Sequence, residues 1–130
     1  MGNILVVDDE AEIISLLRFL LEKEGHAVAA ATNGQDALQA LGLDPADPAV
    51  RLPDLMILDI MMPVMDGFTL NSRLQGYPGA KDLPVIVLTA KGQKMRDLFQ
   101  SSPNVAAYVQ KPFDPKMLRD LIAGILSRKK

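Results

Sequence analysis

The chain has 130 residues without cysteine or tryptophan, and its net charge of −2 is unevenly distributed: residues 1–65 hold 11 acidic and 3 basic residues, whereas residues 66–130 hold 5 acidic and 11 basic ones. This length suits one domain with a single core, and the lack of cysteine excludes a disulfide framework, a zinc finger and a thiol nucleophile. No apolar run approaches the roughly 20 residues of a membrane span and the N-terminus lacks a signal pattern, so we expect a cytoplasmic protein without membrane contact.

The first third of the chain alternates between apolar runs and helical patterns. The run Ile4–Val7 is typical of a strand buried on both faces, and Asp8 ends it. After Glu10, apolar residues recur about every 3.6 residues, which predicts a helix that ends at Gly25. A weaker second strand over Ala27–Ala31 and a short second helix follow. The predicted apolar stripe of the first helix consists of Ile13, Ile14, Leu16, Leu17, Leu20 and Leu21.

The middle of the chain contains a proline-rich connection and two further strands. Gly42–Pro53 cannot sustain a helix or an interior strand, so we expect an exposed connection. Leu55–Leu58 predicts a third buried strand ending at Asp59, and a helix follows it. Pro84–Leu88 predicts the fourth strand, with Thr89 directly behind it.

The last part of the chain predicts helix, strand and helix. A fourth helix is expected over Gln93–Ser101, with Asn104 as its cap, and a fifth strand over Val105–Val109. Asp114 is expected to cap the final helix. The predicted apolar stripe of that helix is Met117, Leu118, Leu121, Ile122, Ile125 and Leu126. Five strands alternating with five helices predict an α/β fold, a doubly wound parallel sheet with helices on both faces.

Polar residues stand where the predicted strands end. Asp8 and Asp9 follow the first strand, Asp59 the third, Thr89 the fourth and Lys111 the fifth. In an open parallel sheet these ends form one edge, where ligands bind. If the strand order is 2-1-3-4-5, the first and third strands are neighbours, so the three carboxylates converge. Thr89 and Lys111, on the fourth and fifth strands, then flank them.

Three converging carboxylates repel one another unless a cation compensates. Oxygen ligands without histidine or cysteine favour Mg²⁺ or Mn²⁺. Because Mg²⁺ usually keeps several waters, an oxyanion can still enter. An aspartate at the end of the third strand can then attack phosphorus and form an acyl phosphate.

The motifs at these strand ends resemble those of the receiver domain of bacterial two-component response regulators. The segments that carry the resemblance are Val6–Glu10, Leu58–Pro63, Asp66-Gly67, Leu88–Ala90 and Tyr108 with Lys111–Phe113. They span essentially the full length of the chain. The resemblance therefore implies one receiver domain over residues 1–130 with the flavodoxin-like (βα)5 fold and the strand order 2-1-3-4-5.

The resemblance also implies the chemistry of the site. Asp59 corresponds to the phosphoacceptor, and Asp8 and Asp9 to the acidic pair that holds Mg²⁺. Asp59 itself and the backbone carbonyl of Met61 are expected as further ligands of the metal. No other cofactor is expected.

Signalling in this family implies partners and a switch. A sensor histidine kinase or a phosphotransfer protein offers a phosphohistidine, and the receiver catalyses its own phosphorylation and slow dephosphorylation without being a classical enzyme. Lys111 pairs with the phosphoryl group, Thr89 moves inward and Tyr108 rotates into the vacated space. The expected output surface comprises the fourth predicted helix, the fifth strand and the final helix, and a homodimer through it is one expectation.

Other classes of protein share parts of this pattern. Ser102–Ala107 lacks the glycine and acidic residues that receivers often carry before the switch aromatic, which keeps a phosphorylation-independent interaction module in consideration. A haloacid-dehalogenase-like phosphatase also uses an aspartate and Mg²⁺, but Met61 stands where it needs a second acid. A flavin-binding module would need more aromatic residues. The only basic run, Arg128–Lys130, is too short to predict direct nucleic-acid binding, and His26 at a helix end is expected to be structural.

Overall fold

Five parallel strands form one sheet in the computed structural model, which describes residues 2–44, 46–59, 67–77, 79–89, 104–111 and 113–128. The strands pair in the order β2-β1-β3-β4-β5, as the sequence predicted. Their bounds are β1 (Asn3–Val7), β2 (Ala27–Ala31), β3 (Leu55–Asp59), β4 (Val85–Thr89) and β5 (Val105–Gln110).

Four helices are described between and after these strands. Their bounds are α1 (Ala11–Lys23), α2 (Gly34–Ala40), α3 (Gly67–Leu74) and α4 (Pro115–Arg128). The predicted helix over Gln93–Ser101 lies outside the described residues. The predicted cap of α4 is confirmed, because the Asp114 side chain accepts a hydrogen bond from the Lys116 amide at 3.0 Å. Among the described residues, no helix is both long enough and apolar enough to span a bilayer.

The core lies on both faces of the sheet. Alternate side chains of the central strands point to opposite faces, so strands covered on both sides read as continuous apolar runs. Leu5 and Val7 of β1 lie in the cluster with α2 and α3, whereas Ile4 and Val6 lie in the cluster with α1 and α4. We call these two sides the α2/α3 face and the α1/α4 face.

The apolar stripes of α1 and α4 are narrower than predicted. In α1 the buried positions are Leu17 and Leu21, while Leu16 is 42% exposed. In α4, Leu118 is buried but Met117 is 50% exposed. One residue further along a helix points about 100° away, beyond the strip that the sheet covers. Leu16 and Met117 were therefore wrongly assigned to the core stripes.

The connection between α2 and β3 is largely exposed, as predicted, but its start is tightly packed. Gly42 is buried and adopts a left-handed φ of 72°. A Cβ atom on Gly42 would lie 2.7 Å from the Val50 Cβ and 2.8 Å from the Asp47 carbonyl oxygen. Leu43 and Leu52 pack against the core on the α2/α3 face. A glycine is thus required where this connection turns.

Two glycine substitutions should change stability in opposite directions. Gly42→Ala combines an unfavourable φ with a backbone clash and should lower the free energy of unfolding by about 2 kcal/mol. Gly124→Ala should raise it by about 1 kcal/mol, because Gly124 is exposed inside α4 and nothing lies within 4 Å of its added Cβ. Urea denaturation measures both values; the same sign for the two variants would contradict this account.

Candidate functional site

Four carboxylates meet at the C-terminal ends of β1 and β3. One ligand oxygen from each of Asp8, Asp9, Glu10 and Asp59 lies within 4.8 Å of the others. The strands run in parallel, and Val7 pairs with Leu58, so the residues that follow Val7 come to lie beside Asp59. Asp59 is the last residue of β3. The predicted convergence of the three aspartates is therefore present, and Glu10 joins them.

The four carboxylates differ in exposure. Asp8 is 0% exposed and Asp59 is 5% exposed, whereas Asp9 and Glu10 are exposed. The Asp8 Oδ1 atom accepts a hydrogen bond from the Glu10 amide at 2.8 Å, which holds the turn between β1 and α1. Buried carboxylates need positive partners or hydrogen bonds. The inner part of the cluster thus requires a cationic neighbour.

Lys111 provides that positive charge. Its Nζ atom lies 2.9 Å from Asp8 Oδ2, 3.2 Å from Glu10 Oε1 and 3.7 Å from Asp59 Oδ1. Its backbone amide donates to the Thr89 carbonyl oxygen at 2.8 Å, which anchors it to the end of β4. Burial by itself lowers the pKa of Lys111, but the hydrogen bond to Asp8 and the charge of Asp59 outweigh burial, so the net pKa is raised above 10.5. The ammonium is charged at neutral pH.

Thr89 and Tyr108 share one face of the sheet. Thr89 ends β4 and is 3% exposed, and Tyr108 pairs with Val87, two residues before Thr89. Because side chains alternate along a strand, Thr89 points to the same face as Val87 and Tyr108. Tyr108 is partly buried against the cluster on the α2/α3 face. The two residues of the predicted switch thus lie on the same face of the sheet. Met61, the predicted carbonyl ligand, lies outside the described residues.

A β-bulge in β5 determines which way Tyr108 points. Val105 pairs with Val85, but Ala107 rather than Ala106 pairs with Ile86, so β5 carries one extra residue. Val105 and Tyr108 consequently pack on the same face although they are three residues apart. A regular strand would place them on opposite faces. The sequence prediction of a plain fifth strand did not include this irregularity.

The start of β5 is held by a buried amide cluster that the sequence did not predict. The Asn104 Nδ2 atom donates to Asn71 Oδ1 at 2.8 Å and to the Leu83 carbonyl oxygen at 3.3 Å. The Gln75 side chain donates to Asn104 Oδ1 at 3.1 Å. Asn71 is 1% and Asn104 is 7% exposed, and buried amides need hydrogen-bond partners of this kind. The cluster joins α3 to the beginning of β5.

His26 has a structural role, as expected from its position at a helix end. Its Nδ1 atom accepts a hydrogen bond from the Gly2 amide at 3.1 Å, and burial lowers its pKa from 6.5. It directly precedes β2, at the edge of the sheet opposite the carboxylates. His26 is thus neutral at neutral pH and takes no part in the acidic cluster.

The donor set of the cluster suits a hard divalent cation. Four carboxylates carry four formal negative charges, and the Lys111 ammonium balances one of them. All the side-chain donors are oxygens, and two of the carboxylates face solvent, where a partly hydrated ion can enter. This acidic cluster is typical of the Mg²⁺ site of receiver domains.

Comparison with known proteins identifies the class to which this fold and site belong. The family model of the response regulator receiver domain matches residues 4–123, and the chain belongs to this family. It is 34% identical over 130 residues to the response regulator SaeR of Staphylococcus aureus, covering all of this chain and 53% of SaeR. The chain therefore spans about half the length of the curated relatives it matches.

Solved structures agree with this assignment. A putative response regulator from Chloroflexus aurantiacus superposes with a TM-score of 0.84 at 31% identity, covering 97% of this chain and 98% of that one. The signal receiver domain of a signal transduction histidine kinase from Syntrophus aciditrophicus gives a TM-score of 0.83 at 32% identity, covering 100% and 93%. Receiver domains are generally signalling phosphoacceptors rather than classical enzymes, and they typically partner with histidine kinases.

Proposed function

We propose that residues 1–130 act as one cytoplasmic receiver domain that accepts a phosphoryl group on Asp59 from a phosphohistidine of a sensor histidine kinase or phosphotransfer protein. The observation that carries the proposal is the placement of a buried Asp59 carboxylate 3.7 Å from the Lys111 ammonium, inside a cluster of four carboxylates. Such a cluster suits Mg²⁺, and the ammonium suits a phosphoryl oxygen.

The transfer follows from the roles of these side chains. Asp8, Asp9 and Asp59 would hold Mg²⁺, with the Met61 carbonyl as a further proposed ligand. When bound, the ion supplies positive charge that offsets the negative charge of the phosphoryl oxygens. One Asp59 oxygen attacks phosphorus, the phosphorus–nitrogen bond breaks, and its electron pair leaves with the imidazole nitrogen. The products are an acyl phosphate on Asp59 and a free histidine on the partner.

The remaining proposed roles concern stabilisation and output. Lys111 pairs with a phosphoryl oxygen, and the Thr89 hydroxyl donates to another. The inward movement of Thr89 makes room for Tyr108, which shares its face of the sheet. This two-state change alters the surface that includes β5, α4 and the segment 93–101, through which we propose homodimer formation or partner binding.

The chain contains the complete set of residues that the transfer needs, namely Asp8, Asp9, Asp59, Thr89 and Lys111. Their presence favours a phosphoacceptor over a phosphorylation-independent interaction module. The two differ in one measurable respect. A phosphoacceptor changes its partner or self-association when beryllofluoride and Mg²⁺ are added, whereas a constitutive module does not.

The proposed function is tested by incubating the chain with acetyl phosphate and following its intact mass. With Mg²⁺ we expect the gain of one phosphoryl group per chain, and with a chelator in place of Mg²⁺ a rate at least about 100-fold lower. Peptide mapping after borohydride reduction of the acyl phosphate should locate it at Asp59. No gain of mass with Mg²⁺, or a gain at another residue, would contradict the proposal.

A further inference from the structure

The Lys111 ammonium pairs with Glu10, a residue that has no role in the proposed transfer to Asp59. Its Nζ atom is within hydrogen-bonding distance of Asp8 and Glu10, at 2.9 Å and 3.2 Å, but stands 3.7 Å from Asp59. A phosphoryl group on Asp59 needs this ammonium at hydrogen-bonding distance from its oxygens. These two contacts leave only one of the three N–H donors of Lys111, so pairing with more than one phosphoryl oxygen requires the ammonium to give up part of its present coordination.

The two present contacts differ in how easily they break. The Asp8 side chain is 0% exposed and cannot exchange the ammonium for bulk water. The Glu10 side chain is 59% exposed, so water readily solvates its carboxylate once the ammonium leaves. Exposed ion pairs contribute little stability, whereas an unpaired buried charge is costly. The contact with Glu10 is therefore the one that costs less free energy to break.

We propose that Glu10 is a positioning residue that holds Lys111 away from Asp59 and thereby slows phosphorylation. This inference rests on the proposed function, because it concerns the same transfer to Asp59. Glu10 touches neither the phosphoryl group nor phosphorus; it acts through Lys111. Glu10 can restrain Lys111 because its own backbone is held in place. Glu10 is the N-cap residue of α1, and its amide donates a hydrogen bond to the Asp8 side chain.

Glu10→Gln keeps the size of the side chain but removes its charge, so Lys111 is released more easily. We expect the second-order rate constant for phosphorylation by acetyl phosphate at saturating Mg²⁺ to rise about two- to fivefold, the range that an exposed ion pair allows. Glu12→Gln is the matched control: Glu12 is also exposed, lies in the first turn of α1, and should change the rate less than about 1.5-fold.

A double-mutant cycle separates action through Lys111 from a general effect of charge on the anionic donor. In a Lys111→Met background, Glu10→Gln should leave the rate unchanged. The same acceleration in that background would overturn the proposal, because Glu10 would then act on the donor directly. The apparent Mg²⁺ affinity should fall by less than about threefold in Glu10→Gln, because a nearby exposed charge is lost. A tenfold loss would make Glu10 a metal ligand and overturn its role as a restraint.

An independent measurement follows the ammonium itself. In the absence of Mg²⁺ and phosphodonor, the ¹⁵N NMR signal of the Lys111 side chain should shift in Glu10→Gln and stay in place in Glu12→Gln. Normal phosphorylation of wild type without acceleration in Glu10→Gln would overturn the restraint alone. Failure of wild type to accept a phosphoryl group would overturn the proposed function and the restraint together.

Discussion

Asp59→Asn should abolish phosphorylation by acetyl phosphate and, without divalent cations, should make the folded chain more stable. The amide cannot form an acyl phosphate, so the gain of mass disappears. Stability rises because one of four carboxylates within 4.8 Å of each other becomes neutral, while the Lys111 ammonium still balances Asp8. We expect about 1 kcal/mol more in the free energy of unfolding, measured by urea denaturation in a chelator.

In the presence of Mg²⁺, wild type should become more stable than Asp59→Asn. An ion that binds the folded state stabilises it by mass action, by about 2.7 kcal/mol at a concentration 100 times its Kd. Wild type should gain this stabilisation, whereas Asp59→Asn should gain much less because it lacks one ligand. Mg²⁺ titrations monitored by thermal unfolding compare the two variants directly.

Asp120→Asn is the matched control, because Asp120 is exposed on α4 and outside the acidic cluster. It removes the same charge and should change neither phosphorylation nor the response to Mg²⁺. Phosphorylation of Asp59→Asn at the wild-type rate would place the acceptor elsewhere. A loss of stability in Asp59→Asn without Mg²⁺ would show that carboxylate repulsion does not dominate the site.

Lys111→Met should slow phosphorylation by at least about 100-fold, because a positioned donor to the transferring oxygens is lost. The same substitution removes the cationic partner of Asp8, whose side chain is 0% exposed. We expect a loss of about 2 kcal/mol in the free energy of unfolding without Mg²⁺. Added Mg²⁺ should recover part of that loss, since the ion brings positive charge to the same carboxylates.

Two variants distinguish charge from geometry at this position. Lys116→Met removes an exposed ammonium from α4 and should affect neither rate nor stability by a comparable amount. Lys111→Arg keeps the charge and should retain more of the stability than of the rate, because a planar guanidinium places its donors differently. A rate for Lys111→Met equal to that of Lys116→Met would exclude the proposed role of Lys111.

The raised pKa of Lys111 also predicts a pH dependence. Its ammonium is stabilised in the folded chain relative to the unfolded one. The corresponding contribution to stability is complete below the ordinary lysine pKa of 10.5 and is lost as the pH rises through the higher value of the folded chain.

Much of the site could be predicted from the sequence, because short apolar runs show where each parallel strand ends and which polar residue follows it. Ile4–Val7 and Leu55–Leu58 end in aspartates, and the strand order brings those ends to one edge. Glu10 belongs to the same motif, yet its pairing with Lys111 joins residues 101 positions apart, and local patterns carry no information on such a contact. The amide cluster of Asn71 and Asn104 escaped prediction for the same reason.

The sequence by itself determined the strands and the set of carboxylates, hydroxyl and lysine at their ends, because periodicity and strand-end positions are local properties of the chain. The order of the strands followed from the family resemblance. Only the tertiary structure decided which helix positions face solvent, as at Leu16 and Met117, and which way Tyr108 points. Simple alternation from Val105 would place Tyr108 on the α1/α4 face. Pairing with β4 inserts one extra residue into β5 and turns the tyrosine to the face of Thr89, because register depends on the neighbouring strand as well as on the strand itself.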